Sequence, residues 1–296
     1  MTGQVTGQGA AGDSRWIAAM PAVFVAIWCT GFVVARLAMP HAPPISFLSI
    51  RFALSALCFG AWVFASGARW PSEPAQWGHL AVLGLTTQAG YLICGWAAVK
   101  YGMGAGTMAL IAGLQPLLTA LWLHTQGERL KPLQWTGLLL GLAGLVLVVL
   151  HKLGAGELNA LNMGLGAGAL LTITFGGLYQ KRFVKPNDAR TAMFVQMAVA
   201  ALISAPLALL EHEPIVWHHE LFIALGWSVL VLTLGGSSLL FLMLQRGAAT
   251  RVTSLMYLVP PAAALLAWAL FGDPVGAVFW LGMAMSALGV YWVVRR

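Results

Sequence analysis

The sequence predicts an all-α integral membrane protein: ten transmembrane helices forming two inverted five-helix repeats around a central cavity. Three observations lead there. Hydrophobic residues make up 59% of the chain and charged residues 8%, against roughly 25% charged in a soluble domain, so the charges are too few to coat a water-exposed surface. Almost the whole chain divides into apolar runs of about 20 residues, the length that crosses a bilayer. And one long stretch occurs twice.

That stretch, GAGTMALIAGLQPLLTALWLHTQGERLKPLQWTGLLLGLAG from Gly104, returns as AATRVTSLMYLVPPAAALLAWALFGDPVGAVFWLGMAMSALG. Each copy is an apolar helix with an internal proline, a polar break, and a second apolar helix with Trp and Gly. At an offset of 144 residues, Ala105, Leu114, Pro116, Ala120 and Leu121 align with Ala249, Leu258, Pro260, Ala264 and Leu265. One inserted residue later, Trp135, Gly137 and Gly144 align with Trp280, Gly282 and Gly289. The shared order of proline, break and Trp-x-Gly divides the chain into two related halves.

In chain order, residues 1–15, rich in Gly, Gln and Thr, read as a disordered cytoplasmic leader. The first apolar run, 16–39, is too long and too polar at its end for a signal-peptide core and is a retained span. Nine more follow at 44–66, 76–99, 103–124, 133–150, 163–183, 191–210, 221–244, 248–271 and 275–294. Residues 16–150 form the first repeat and 151–296 the second. Cys29, Cys58 and Cys94 all fall in apolar runs as small hydrophobes, and neither a disulfide, a metal nor another cofactor is implied.

Orientation follows from the basic residues that flank the spans. Twelve lie on one side, from Arg15 to Arg296, and three, Arg36, Lys100 and Lys152, on the other. Both termini are therefore expected in the cytoplasm. The net charge of +7 is topology and not a nucleic-acid footprint, because bases scattered one loop at a time make no groove. Since five is odd, the second half must enter the membrane from the opposite side, and inverted halves are a usual basis of alternating access.

Ten spans, the five-plus-five duplication, the Ala-rich entry to spans four and nine, Pro116 and Pro260, and an acid after each helix (Glu128, with Asp273 one register on) resemble the EamA type of the drug/metabolite transporter superfamily. The whole chain is further similar to the bacterial aromatic amino-acid exporters of that superfamily. The resemblance implies a multi-pass bacterial inner-membrane protein that exports aromatic and other large apolar amino acids or similar small metabolites. It also implies a basket-like fold whose cavity is lined by spans one, three, four, six, eight and nine, with five and ten peripheral.

No Asp or Glu falls within a span as drawn. Proton-coupled exporters of organic cations normally need an intramembrane carboxylate that titrates and pairs with cargo. Small multidrug relatives carry a glutamate in their first span, where this chain has Trp28, Cys29, Thr30 and Gly31. Facilitated movement of a net-neutral substrate is expected, with a multidrug exporter as the alternative; His79, Lys100 and Asp273 remain as titrating groups near helix ends. A membrane-embedded enzyme would need clustered catalytic groups; His218, His219 and Glu220 are adjacent but sit at a loop boundary, and no enzyme is expected.

Polar and aromatic residues at helical spacing supply the substrate-binding candidates: Trp28, Gln88 with Tyr91, Met108 with Gln115, Thr172 with Tyr179, Ser238 beside Phe241, and Tyr257 with Thr253. Such a set offers neutral hydrogen-bonding groups for a zwitterion, and Trp28, Met108, Met256 and the tyrosines to pack its ring. The same residue types also join helices or form interfacial belts. Pro116 and Pro260 kink their helices and are the gating candidates. Arg51, the basic residue well inside a span, would cost roughly 3 kcal/mol at mid-membrane; it either snorkels to headgroups or a helix end, or acts as a carboxylate anchor or extracellular gate. The G-x-x-x-G pairs Gly137–Gly141 and Gly164–Gly168 permit close helix contact, within a monomer or across a homodimer.

Overall fold

The computed structural model describes residues 19–20, 22–127, 129–154, 156–239, 259–272 and 276–294. The leader, Glu128, Phe241, Thr253, Met256, Tyr257 and Asp273 lie outside the described residues. Every regular element among those described is a helix. In chain order they are α1 Ala22–Ala38, α2 Pro44–Ser66, α3 Pro74–Lys100, α4 Ala105–Thr125, α5 Pro132–Leu153, α6 Ala160–Phe183, α7 Ala189–Ala208, α8 His219–Leu239, α9 Val259–Phe271 and α10 Ala277–Val293. Seven, α2 to α8, are long and apolar enough to cross a membrane; α1, α9 and α10 are shorter as described.

The helix ends follow from local chemistry. Extended Pro43 followed by Pro44 at the first helical position starts α2, where a missing N–H is no loss, and Gly67, at φ 60°, ends it in a left-handed turn. Pro74 starts α3 in the same way. Asn159 and Asn162 open α6 by exchanging side-chain bonds to each other's backbone N–H, both 2.9 Å. Asp188 caps α7 through the Arg190 N–H at 3.0 Å. The starts of α2 and α4 borrow their caps from far along the chain: Glu211 accepts from the N–H of Ile45 at 3.0 Å and of Ser46 at 2.7 Å, and Glu157 from that of Gly104 at 3.0 Å. A carboxylate there satisfies free N–H groups and meets the positive end of the helix dipole.

Helices pack as α5 on α10, α2 on α7, α3 on α6 and α4 on α9. The first of these contacts is the closest in backbone terms. A Cβ built on Gly137 would lie 2.6 Å from the Gly289 carbonyl oxygen, and one on Gly282 2.6 Å from that of Gly144. Because Gly137 meets Gly289 while Gly144 meets Gly282, the two helices run antiparallel. The ridge that includes Gly137 and Gly141 is thus occupied by α10 of the same chain. The core behind it is apolar, with Trp96, Phe52, Phe59, Leu48 and Met108 among its fully buried side chains.

Two helices depart from the expected continuous spans. α1 is interrupted by a turn at Cys29–Thr30. α4 consists of Ala105–Ala112 and Gln115–Thr125, with a turn at Gly113 and Leu114 between them. Pro116 is therefore the second residue of a new helical piece and not a kink inside one: its ring cannot donate back to the preceding turn, and Gly113 opens that turn to α9, where a Cβ on Gly113 would come within 2.9 Å of Pro260 Cγ.

Candidate functional site

Two wide turns interrupt α3 and α8 midway along their length. Within α3, residues Gly84–Gly90 are π-helical, and within α8, Trp227–Gly235. The Tyr91 N–H reaches the Thr86 carbonyl, and the Gly236 N–H that of Val231. Each residue of the second pair lies 145 positions after its counterpart. Both segments end on glycine for the same reason: a Cβ on Gly90 would lie 3.1 Å from the Leu85 carbonyl oxygen, and one on Gly235 3.3 Å from that of Leu230. Such π turns are rare and occur mostly at functional positions.

Each wide turn carries a polar bond to the helix packed against it, and the two bonds are counterparts. In the first seam, Arg51 of α2 donates from Nη2 to Thr233 Oγ1 of α8 at 3.2 Å. In the second, Gln88 of α3 donates from Nε2 to Gln196 Oε1 of α7 at 3.4 Å. Gln196 is 145 residues after Arg51, and Thr233 is 145 after Gln88. Both seams are interior: Arg51 is 7% exposed and Gln196 8%.

Only the first seam carries charge. The Arg51 guanidinium stands 5.5 Å from the centre of the Trp96 ring. Among the described residues no carboxylate forms an ion pair with it. Its Nε has no hydrogen-bond partner among the described residues, nor do the buried hydroxyls of Ser55, one turn further along α2, and of Ser228 in the α8 wide turn. The snorkelling expectation does not describe this arrangement, since the head group points at α3 and α8.

The sequence-derived candidates do not form one cluster. Gln88 bonds to Gln196 of α7 and Tyr91 packs edge-on against Phe32 of α1 at 6.0 Å, while Gly90 between them faces α6, where its Cβ would lie 3.1 Å from Thr172 Cγ2, and Gln115 Nε2 of α4 donates to the Ile173 carbonyl at 3.2 Å. Thr172 Oγ1 itself bonds within α6, to Gly168 at 2.9 Å. Trp28 lies against α8, its ring 3.6 Å from a Cβ built on Gly236 and 5.0 Å from that of Phe24. Ser238 is nearby on α8, bonded back to the Leu234 carbonyl. Tyr179 belongs elsewhere, with its hydroxyl 2.8 Å from His79 Nδ1. Met108 is fully buried in the apolar core, and Tyr257 lies outside the described residues. Pro260 lines a cavity of about 20 Å³ with Gly113, Leu114 and Ser286, so the two proline-bearing helices meet beside a small void.

The loops at the two ends of the bundle are tied differently. At the end carrying residues 39–43, 100–104 and 211–218, Lys100 pairs with Glu213 and His41 with Glu220, both at 2.6 Å. The donor atoms of His41, His218 and Glu220 lie within 4.8 Å of one another, but the His41 and His218 rings are stacked at 4.7 Å, so their in-plane lone pairs do not converge on one point. At the opposite end Lys185 pairs with Glu73 at 2.7 Å, and Arg190 with Asp188 at 2.6 Å. The Arg190 guanidinium holds the Asp188 carboxyl below the usual carboxylate range.

Seven helices long and apolar enough to cross a membrane among the described residues mark a polytopic membrane protein, and the family to which it belongs is one of transporters. The chain belongs to the EamA-like transporter family, whose model matches it twice, over residues 15–150 and 161–295. Over 292 residues it is 25% identical to the Escherichia coli K12 protein named "Probable amino-acid metabolite efflux pump", covering 94% of each chain. It is 22% identical over 273 residues to the inner membrane transporter YedA of the same organism, covering 89% of this chain and 86% of that one. A protein of known crystal structure superposes with a TM-score of 0.64 at 21% identity, over 94% of this chain and 97% of the other.

Proposed function

We propose that this transporter is a bacterial inner-membrane exporter of aromatic and other large apolar amino acids or similar small metabolites. It has ten spans, two inverted repeats at 16–150 and 151–296, and both termini in the cytoplasm, and it works by alternating access without a coupling ion. The observation that carries this reading is the contact of α5 with α10. Gly137 and Gly282 are counterparts, as are Gly144 and Gly289, and each touches the other's opposite number. A contact that maps onto itself in this way is what a two-fold axis produces, and antiparallel helices require that axis to lie in the membrane plane. The wide turns recurring 145 residues apart and the family model's two matches support the same division.

Rocking of one half against the other then parts one seam while the other stays closed. Gln88, Tyr91, Gln115 and Thr172 face the substrate from one side and Trp28 and Ser238 from the other, with Met108 and Tyr179 joining as the helices move. Pro116 and Pro260 mark the pivots, beside the void between them, and Arg51 gates the extracellular side. Amino-acid export is favoured over organic-cation export by the relative named an amino-acid metabolite efflux pump and by a buried cation, Arg51, where a cationic cargo would need an acid. Counterflow into proteoliposomes preloaded with unlabelled tryptophan, threonine or methylviologen tests this. Exchange of amino acid indifferent to a pH gradient is expected; uptake of methylviologen alone, driven by protons, would overturn it.

A further inference from the structure

We propose that the first seam is a carboxylate-binding subsite, in which Arg51, Ser55, Ser228 and Thr233 take the carboxylate of the transported molecule while its amino group is held elsewhere. This rests on the transport reading and adds to it the part of the substrate that is recognised.

The argument is a comparison inside one molecule. Both halves need a polar bridge from a wide turn to the neighbouring helix, and the second half makes it with two neutral amides, Gln88 and Gln196. A charge is therefore not required for the bridge. At the counterpart position the first seam has an arginine, and that arginine is buried with no carboxylate paired to it among the described residues. The surplus extends to its neighbours. The counterparts of Ser55 and Ser228 are Ala200 and Leu83, both fully buried and apolar, so packing at these places does not need a hydroxyl either. Among the described residues, four buried side-chain polar atoms lack a partner, and three of them are Arg51 Nε, Ser55 Oγ and Ser228 Oγ. Unpaired buried donors are unfavourable, and here they flank the Arg51–Thr233 bond: Ser55 is one turn after Arg51 on α2, and the Ser228 carbonyl accepts from Thr233 Oγ1 at 2.8 Å.

A carboxylate answers that set. It is an acceptor with two oxygens, it takes paired N–H bonds from a guanidinium, and it neutralises a single cation; a phosphate dianion would leave a negative charge over. The Trp96 ring beneath the guanidinium supplies an apolar wall for the rest of the molecule. Since the guanidinium also holds Thr233, a carboxylate that takes over the Arg51 donors loosens the bridge between α2 and α8, so occupancy and opening of this seam are linked.

The test uses the full-length chain purified in detergent and measures ligand-induced thermal stabilisation by four probes of similar size: phenylalanine, 3-phenylpropionate, phenylalaninamide and phenethylamine. The first two, which carry carboxylates, are expected to bind, and the last two at least about tenfold more weakly, the difference one charge-assisted bond makes. Arg51→Gln copies the residue found in the second seam and so is expected to fold; it should remove the preference for carboxylates, and Arg51→Lys should keep part of it. Equal binding of all four probes, binding by none, or an unchanged preference in Arg51→Gln would overturn the subsite. Counterflow measured on the same preparations separates the two readings: exchange without carboxylate preference sinks the subsite alone, and carboxylate binding without exchange sinks the transport reading alone.

Discussion

The first seam joins α2 to α8 through Arg51 and Thr233, and the second joins α7 to α3 through Gln196 and Gln88. They are built on the same frame, since each leaves a π-helical turn that ends on glycine, and the residues correspond one for one. They differ in chemistry. One is a neutral amide pair; the other concentrates a charge and two hydroxyls that have no partner among the described residues. Under the proposed duplication, both copies keep the architecture of the joint, and one copy adds the charge and hydroxyls on which the carboxylate proposal rests.

The largest expected effect tests the shared frame. Leucine at Gly144 or at its counterpart Gly289 would drive side-chain atoms into the opposing backbone, because even a Cβ at Gly144 comes within 2.7 Å of the Ser286 nitrogen. Each substitution is expected to destabilise by about 3 kcal/mol, and by similar amounts, as measured by unfolding in detergent. Clearly unequal losses would argue against a two-fold contact.

Next come the seams themselves. Thr233→Val strips a charged donor of its partner and is expected to destabilise by about 2 kcal/mol. Gln88→Leu breaks a long neutral bond and should lower stability by about 1 kcal/mol, with Gln88→Leu combined with Gln196→Leu nearly restoring it, because both partners are then apolar. If the two single substitutions prove equally damaging, the contrast between seams is smaller than the geometry indicates.

The smallest effects concern the helix starts beside each seam. The first half caps α2 with distant Glu211, and the second caps α7 with adjacent Asp188. Glu211→Gln is expected to lower stability by about 1 kcal/mol. Asp188 is held below its ordinary range by Arg190, so its contribution is fully present above the unfolded carboxylate value of about 4 and is lost as pH falls through the lower folded value. Asp188→Asn should therefore narrow the stability difference between pH 6 and pH 3, and an unchanged difference would mean that the pair does not persist in solution.

Much of the helical layout was legible in the sequence, because apolar run length and proline at helix starts are local properties. The range 44–66 coincides with α2, and the glycine ridge of the fifth span does mark a close contact. The wide turns were not legible. Whether an N–H bonds four or five residues back depends on what packs against the turn, and the two Gly and two Thr of Gly84–Gly90 lower helix propensity without selecting a π turn. Tyr179 was grouped with Thr172 by spacing alone, yet two turns of helix, about 11 Å, carry it away to His79. Gln196, Thr233, Ser55 and Ser228 went unmarked although a signal existed: carrying the repeat back into the second and third spans, at an offset of 145, pairs Arg51 with Gln196 and Gln88 with Thr233. The hydroxyls and amides were there to be seen; their significance lay in which counterpart lacked them.

Ser72 and Trp217 are both exposed, in the connections before α3 and before α8, and are counterparts at the same offset. With Cys29, Cys58 and Cys94 replaced by alanine, Ser72→Cys and Trp217→Cys can each be challenged from either face of the membrane with a thiol reagent that does not cross it. Halves that face each other upside down require the cysteine at 72 to react only from the cytoplasm and the one at 217 only from outside. Labelling of both from one side would mean that the halves share an orientation, and neither the two-fold contact nor the paired seams could then be what they are taken for here.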